Sequence, residues 1–324
     1  TIKEEAGREK KRMDRKMLGE EEQEALASLL TENMDDADIY SSLRSLTRLL
    51  YDYYGQKAII LIDEYDVPLA KASESGYYDQ MLALIRGMLS QALKTNSSLQ
   101  FAILTGCLRI SKESIFTGLN NFNVYTVKDV QYNEYFGFTD TDVRNMLAYY
   151  GLMEKYDSIK EWYDGYRFGN LAIYCPWDVV SYCHALRMDP SLAPQNYWVN
   201  TSSNNIIKKF IGRAKASTKN EVEQLINGGN IKKKIRQELT YRDLDSKIDN
   251  LWSFLYTTGY LTQQGEDDNG LTELVIPNRE VRWIYIEQIQ DWFEEETLKD
   301  SQKLTAFCNA FLENDISAIE EGFN

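Results

Sequence analysis

The chain has 324 residues, 43% of them hydrophobic and 27% charged, which is the composition of a folded globular protein with room for two domains. A formal net charge of −14 works against attraction to nucleic-acid backbones or anionic lipid, so direct nucleic-acid binding by this chain is not expected. No run of about 18 apolar residues appears, and the opening TIKEEAGREKKRMDRK carries mixed charge without an apolar core; neither a membrane span nor a signal peptide is expected, and the chain reads as cytoplasmic.

Residues 1–30 are charged and helix-prone, and IYSSLRSLTRLLYDYY, 39–54, has apolar residues at helical spacing behind the DDAD start that suits a helix N-terminus. KAIILIDEYDVPL follows, in which the apolar run Ala58 to Ile62 leads straight into Asp63 and Glu64. Residues 77–94 again show helical periodicity, and FAILTG, 101–106, is a second short apolar run. Strand, helix, strand with both strands continuously apolar predicts a parallel sheet covered by helices on both faces. Ligands of such sheets sit at the carboxyl ends of the strands, where Asp63, Glu64 and Thr105 would emerge together. Val124 to Val127 is another possible strand.

After about residue 135 the composition changes. FGFTDTDVRNMLAYYGL, 136–152, predicts a helix capped by Thr139, and WYDGYRFG, 162–169, reads as an aromatic, glycine-rich tight turn. Helices are expected at 177–187, 203–226 and 246–258, with IKKKIR, 231–236, as an exposed turn or strand. A strand-like pair spans 259–277, and 278–324 is helical and acidic. YWVNTSSN most economically ends one element and caps the helix near Ser203. The cysteines, Cys107, Cys175, Cys183 and Cys308, form no C-x-x-C pair, and His184 is the only histidine. A zinc cluster, a disulfide framework and a Ser-His-Asp triad within one chain are therefore not indicated; His184 reads as a packing or helix-surface residue.

An apolar strand followed by Asp-Glu is the pattern of a Walker B strand. There the aspartate holds the magnesium of a bound nucleotide and the next carboxylate polarises the attacking water. Buried strands that surface into any acid produce the same pattern, so the pattern alone is weak. FAILTGCLRI adds Thr105 at the end of the neighbouring strand, where a residue sensing the γ-phosphate would stand, and Arg109 four residues on. Equally, Thr105 would cap the next turn and Arg109 pair with a surface acid.

LIDEYDVPL, LTGCLRISKESIFTGLNNF, EWYDGYRFG, IYCPWDVVSY, YWVNTSSN and NLWSFLYTTGYLT, in this order from about residue 39 to 285, together resemble the bacterial AAA-ATPase-like family, whose members commonly carry a PD-(D/E)XK nuclease-like domain at the C-terminus. The resemblance implies an α/β fold: a partial ASCE-type P-loop NTPase parallel sheet with helices over 1–135, then a mostly helical, winged-helix-like lid region over 136–285, as in the STAND ATPases. Residues 286–324 would be a helical linker toward a nuclease-like domain. By position, Asp63 resembles the Walker B magnesium residue, Glu64 the catalytic carboxylate and Thr105 the sensor, with Arg109 a phosphate-sensing candidate. Asp66 would replace Glu64 if the strand ended later.

The family pattern begins with a Gly-rich phosphate loop carrying Gly-Lys-Ser, yet these 324 residues contain no Gly-Lys dipeptide. Without backbone amides and a lysine to cradle phosphate, the carboxylates alone would repel ATP. The chain is accordingly read as an interior fragment of a longer protein, or as a natural derivative whose residues 1–38 replaced the usual start. Toward the C-terminus no D…ExK constellation follows LTAFCNAFLENDISAIEEGFN. Two functions are expected from these facts: a segment supplying Walker B, sensor and lid to a Mg-ATP-hydrolysing parent, binding no ATP alone, or a degenerate ATPase fold that engages a protein partner or oligomer without turnover.

Overall fold

The computed structural model of the chain describes residues 2–14, 18–31, 34–108, 122–198, 207, 212, 216–241, 243 and 248–291. Two compact units divide it, one formed by Thr1–Val124 with Arg236–Thr258 and the other by Tyr125–Ile235 with Gly259–Asn324.

The first unit opens with three helices, α1 (Ile2–Arg12), α2 (Glu20–Leu29) and α3 (Asp36–Tyr54). Asp35 starts α3 by accepting the Asp38 N–H at 2.8 Å, which satisfies one of the donors a helix start leaves open. Their apolar stripes meet through Ala6, Leu26, Leu29, Leu46 and Leu49. Next come β1 (Ala58–Ile62), α4 (Val67–Ser75), α5 (Tyr78–Leu93) and β2 (Leu99–Leu104). β1 and β2 pair in parallel, with Ile59 opposite Phe101 and Ile62 opposite Leu104. Leu69, Leu82, Ile85 and Leu89 form the core beneath them, joined by Ile62, Leu104 and, from the returning segment, Tyr241 and Phe254.

Helices cover only one face of this pair among the described residues, which corrects the expectation of cover on both. Ile60 is buried, whereas Ile59, Leu61, Phe101 and Ile103 are 52%, 71%, 47% and 51% exposed. The strand connection runs through α4 and α5, and α3 packs on α5, so the described helices gather on one side. Because register places Ile59 beside Phe101 and Leu61 beside Ile103, the four bare side chains share a face. The α4 helix was not anticipated, although Pro68 stands in its first turn, where proline is well tolerated.

The second unit mixes helices with five short strands among the described residues. Val124 to Val127 is not a strand: the Asp129 carboxylate accepts the Thr126 N–H at 2.7 Å and its hydroxyl at 2.9 Å, a local turn that competes with pairing. The α6 helix (Asp140–Tyr150) carries the expected Thr139 cap, closed into a reciprocal box with Asp142. α7 (Tyr156–Tyr163) leads into a hairpin of β3 (Tyr166–Phe168) and β4 (Leu171–Ile173), so WYDGYRFG is a helix end and a strand rather than one turn. Gly165, at φ +108, lies so close to the Pro277 carbonyl oxygen that an added Cβ would sit 1.9 Å from it.

Then follow α8 (Pro176–Met188), α9 (Ala216–Ile226), β5 (Ile231–Lys233), β6 (Thr262–Glu266) and β7 (Thr272–Val275), with an antiparallel sheet in the order β5-β7-β6. Residues 279–291 are helical. Leu147, Ile159, Tyr163, Tyr174, Val179 and Leu186 centre the core of this unit. His184 is exposed on α8. Most of 203–215, the cap expected near Ser203, and the acidic tail beyond 291 lie outside the described residues.

Candidate functional site

β1 ends at Ile62 and β2 at Leu104, and the chain leaves both strands in step: the Thr105 N–H donates to the Ile62 carbonyl at 2.9 Å and the Tyr65 N–H to the Thr105 carbonyl at 3.0 Å. That continued pairing carries Asp63, Glu64 and Thr105 to one rim, as expected. The Thr105 hydroxyl donates to Asp63 Oδ1. Glu64 is exposed and adopts φ +53, a left-handed conformation that costs a non-glycine residue energy and recurs where geometry serves function. Arg109 lies outside the described residues.

Asp66 does something different. It is 1% exposed and accepts the Leu108 N–H at 2.9 Å, the Cys107 N–H at 3.3 Å and the Tyr241 hydroxyl at 3.1 Å. Tyr65 reinforces the tie by donating its hydroxyl to the Leu108 carbonyl at 2.5 Å. Gly106 packs into the same corner, where an added Cβ would come within 2.6 Å of Asp66 Oδ1 and 2.7 Å of the Tyr65 ring. Asp66 is thus a clamp between the two strand-end loops, and the strand does not run on to make it a substitute for Glu64.

The rim is electronegative. Loss of hydration and then the carboxylates Asp66, Glu64 and Asp63 push the Cys107 thiol up to about 11. Burial, the Asp66 charge and their hydrogen bond raise the Tyr241 hydroxyl as well. No cluster of three or more His, Cys, Asp or Glu side chains able to cage a metal occurs among the described residues. A magnesium ion does not require one, since it commonly takes one or two carboxylates together with phosphate and water. Asp63, an exposed residue with Oδ1 engaged by Thr105, fits that demand.

A second acidic pair, without a signal in the sequence beyond Asp178 following Pro176 at a helix start, lies inside the second unit. Asp178 and Glu280 are 2% and 1% exposed. Glu280 accepts the backbone N–H groups of Tyr197 at 2.5 Å and Trp198 at 2.8 Å. Burial and then the Asp178 charge push Glu280 up to about 8, and burial raises Asp178 too. The Cys175 thiol beside them rises to about 12 through burial and the Asp178 charge. Burial and the neighbouring charge both favour the protonated form of Glu280.

Among the described residues no helix is long and apolar enough to cross a membrane, and Cys107, Cys175 and Cys183 are unpaired thiols. The fold and rim define an α/β protein whose parallel strand pair gathers acidic residues at its carboxyl end. Residues 2–116 match the AAA-ATPase-like family model described as Predicted AAA-ATPase. The chain is similar to an uncharacterized protein in the vnfD 5′ region of Azotobacter chroococcum mcd 1, at 28% identity over 201 residues, 60% of this chain and 38% of that protein. It therefore spans well under half the length of this curated relative. No solved structure matches the chain.

Proposed function

We propose that the first unit supplies the metal-holding and water-activating carboxylates of an ATP-hydrolysing site, a partial ASCE-type P-loop core whose phosphate loop is contributed from outside these 324 residues. The observation that carries this is Asp63 joined to Thr105 across the ends of adjacent parallel strands, with Glu64 exposed beside them. Magnesium, when bound with ATP, supplies charge neutralisation at the β- and γ-phosphate oxygens. Asp63 would hold that ion, with the Thr105 hydroxyl, bonded to Asp63 Oδ1, fixing the carboxylate. Glu64 accepts the proton of the attacking water and aims it. Thr105 links the Asp63 carboxylate to the chain leaving β2. Arg109 is assigned the phosphate-sensing role by its position in the sequence alone.

The apolar face of β1 and β2 left exposed among the described residues supports a further covering layer, because a parallel strand pair is ordinarily covered on both sides. In a longer protein carrying the Gly-Lys-Ser loop, Glu64→Gln should keep Mg-ATP binding and lower kcat at least ~100-fold. Unchanged turnover would remove Glu64 from the mechanism. For the 324-residue chain alone, titration calorimetry should show negligible Mg-ATP binding; micromolar binding would mean a phosphate cradle exists within it. The same bare face favours a second reading, a degenerate ATPase fold that docks a protein partner without turnover. Absence of ATP hydrolysis in the longer protein with an intact Gly-Lys-Ser loop would select it.

A further inference from the structure

The second unit contains a cavity of about 370 Å³ whose lining includes Arg167, Arg282, Gln263, Gln264, Gly228 and Gly229. No aspartate, glutamate or lysine lines it. In a chain with 50 acidic residues against 36 basic ones, a lining with two arginines and no acid is not what composition dictates, and Glu266 and Lys128 line only the neighbouring cavity that shares Arg167, Gln263 and Gln264.

Local structure sets both in the lining. Arg167 lies in the middle of β3 and is exposed, its N–H donating to the Thr262 hydroxyl at 2.9 Å, which seats β3 on β6. Arg282 stands in the first turns of the helical stretch 279–291, its N–H donating to the Asn278 carbonyl at 3.1 Å. Its Nη2 lies 3.5 Å from where a Cβ on Gly228 would be, so the guanidinium lies against Gly228. Among the described residues neither guanidinium forms an ion pair, and Arg282 Nε is buried without a hydrogen-bond partner. A buried charged donor left unmade is costly and uncommon in folded proteins. An acceptor arriving with a ligand resolves it.

We propose that this cavity binds a small phosphorylated molecule, with Arg167 and Arg282 holding the phosphoryl group. Guanidinium forks match the paired oxygens of phosphate, and two full positive charges balance a phosphoryl dianion better than the single charge of a carboxylate. The glutamine amides supply neutral donors around the remaining oxygens. The cavity is at the small end of ligand pockets, sized for a phosphorylated metabolite rather than a polymer. All its residues belong to the second unit, so the inference is independent of the nucleotide reading of Asp63 and Glu64.

The test is calorimetric titration of the 324-residue chain with inorganic phosphate and, separately, acetate at constant ionic strength, repeated on Arg282→Gln, Arg282→Lys and Arg167→Gln. Phosphate should bind at least tenfold more tightly than acetate. Both glutamine variants should weaken phosphate at least tenfold, with Arg282→Lys intermediate. If Arg282→Gln fails to fold by circular dichroism, the exposed Arg167 decides, since its substitution disturbs no packing. No phosphate heat, equal binding of acetate, or an unchanged phosphate affinity in folded Arg167→Gln would each overturn the proposal.

Discussion

Replacing Asp66 by alanine should destabilise the first unit more than any single change at the exposed rim. The carboxylate makes two well-placed bonds, to the Leu108 N–H at 2.9 Å and the Tyr241 hydroxyl at 3.1 Å, and a longer one to the Cys107 N–H at 3.3 Å. Hydrogen bonds to a charged acceptor contribute about 1.5–3 kcal/mol each, and a buried donor left behind costs a similar amount. Two such bonds lost, with Leu108 N–H and the Tyr241 hydroxyl orphaned, give about 3–5 kcal/mol for Asp66→Ala. Tyr241→Phe removes one neutral partner and leaves the amides satisfied, so about 1–2 kcal/mol is expected. In the double variant the hydroxyl can no longer be orphaned, and its cost should fall short of the sum of the two by about 1 kcal/mol. Urea unfolding followed by circular dichroism measures the totals. Hydrogen exchange at the Leu108 amide isolates the clamp, where a loss of about 3 kcal/mol would lower protection roughly a hundredfold. An Asp66→Ala variant within 1 kcal/mol of the parent, with Leu108 still protected, would show that the clamp geometry is not what holds the strand-end loops together.

The buried acid pair makes stability pH-dependent with a defined sign. Burial and then the Asp178 charge push Glu280 up to about 8 in the folded chain, from an ordinary 4.5, so its contribution is full below 4.5 and is lost as pH rises toward 8, by at most about 1.4 kcal/mol per pH unit. Melting of the second unit should drop between pH 6 and pH 8.5, and Glu280→Gln should flatten that dependence; an unmutated protein equally stable at both values would contradict the raised Glu280. Gly165→Ala should cost about 2–4 kcal/mol, since φ +108 and a Cβ 1.9 Å from the Pro277 carbonyl oxygen force the backbone apart; a melting curve unchanged from the parent would refute that close approach. Leu61→Lys and Ile103→Lys, on the bare sheet face, should leave unfolding free energy within about 0.5 kcal/mol while lowering binding of a hydrophobic dye. A large loss of stability in either would mean the face is covered.

Much of the first unit was legible because apolar runs have one economical use. Ala58 to Ile62 and the run ending at Leu104 could be strands of a parallel pair, and the acids just beyond them had to surface together. The exposed face was not legible, since an uninterrupted apolar strand predicts burial on both sides whatever actually packs there. Asp66 looked interchangeable with Glu64 because sequence spacing does not reveal that Tyr241, 175 residues away, returns to it. In the second unit the Thr139 cap carried its own local signal, whereas the β3–β4 hairpin is too short for a periodic pattern to register. Asp178 and Glu280 meet only through tertiary packing, and nothing near either residue announces the other.

The return of residues 236–258 to the first unit has a consequence for how this protein can be divided. Its chain passes between the units three times, after Val124, after Ile235 and after Thr258, so no single cut separates them. A gene piece ending near residue 124 would retain the stretch that matches the family, 2–116, but would discard Tyr241 and Phe254, which close the core under β1 and β2. Expression or recombination that treats the family match as a self-contained module would therefore strand Asp66 without its hydroxyl partner. The exchangeable piece is defined by three junctions in the polypeptide.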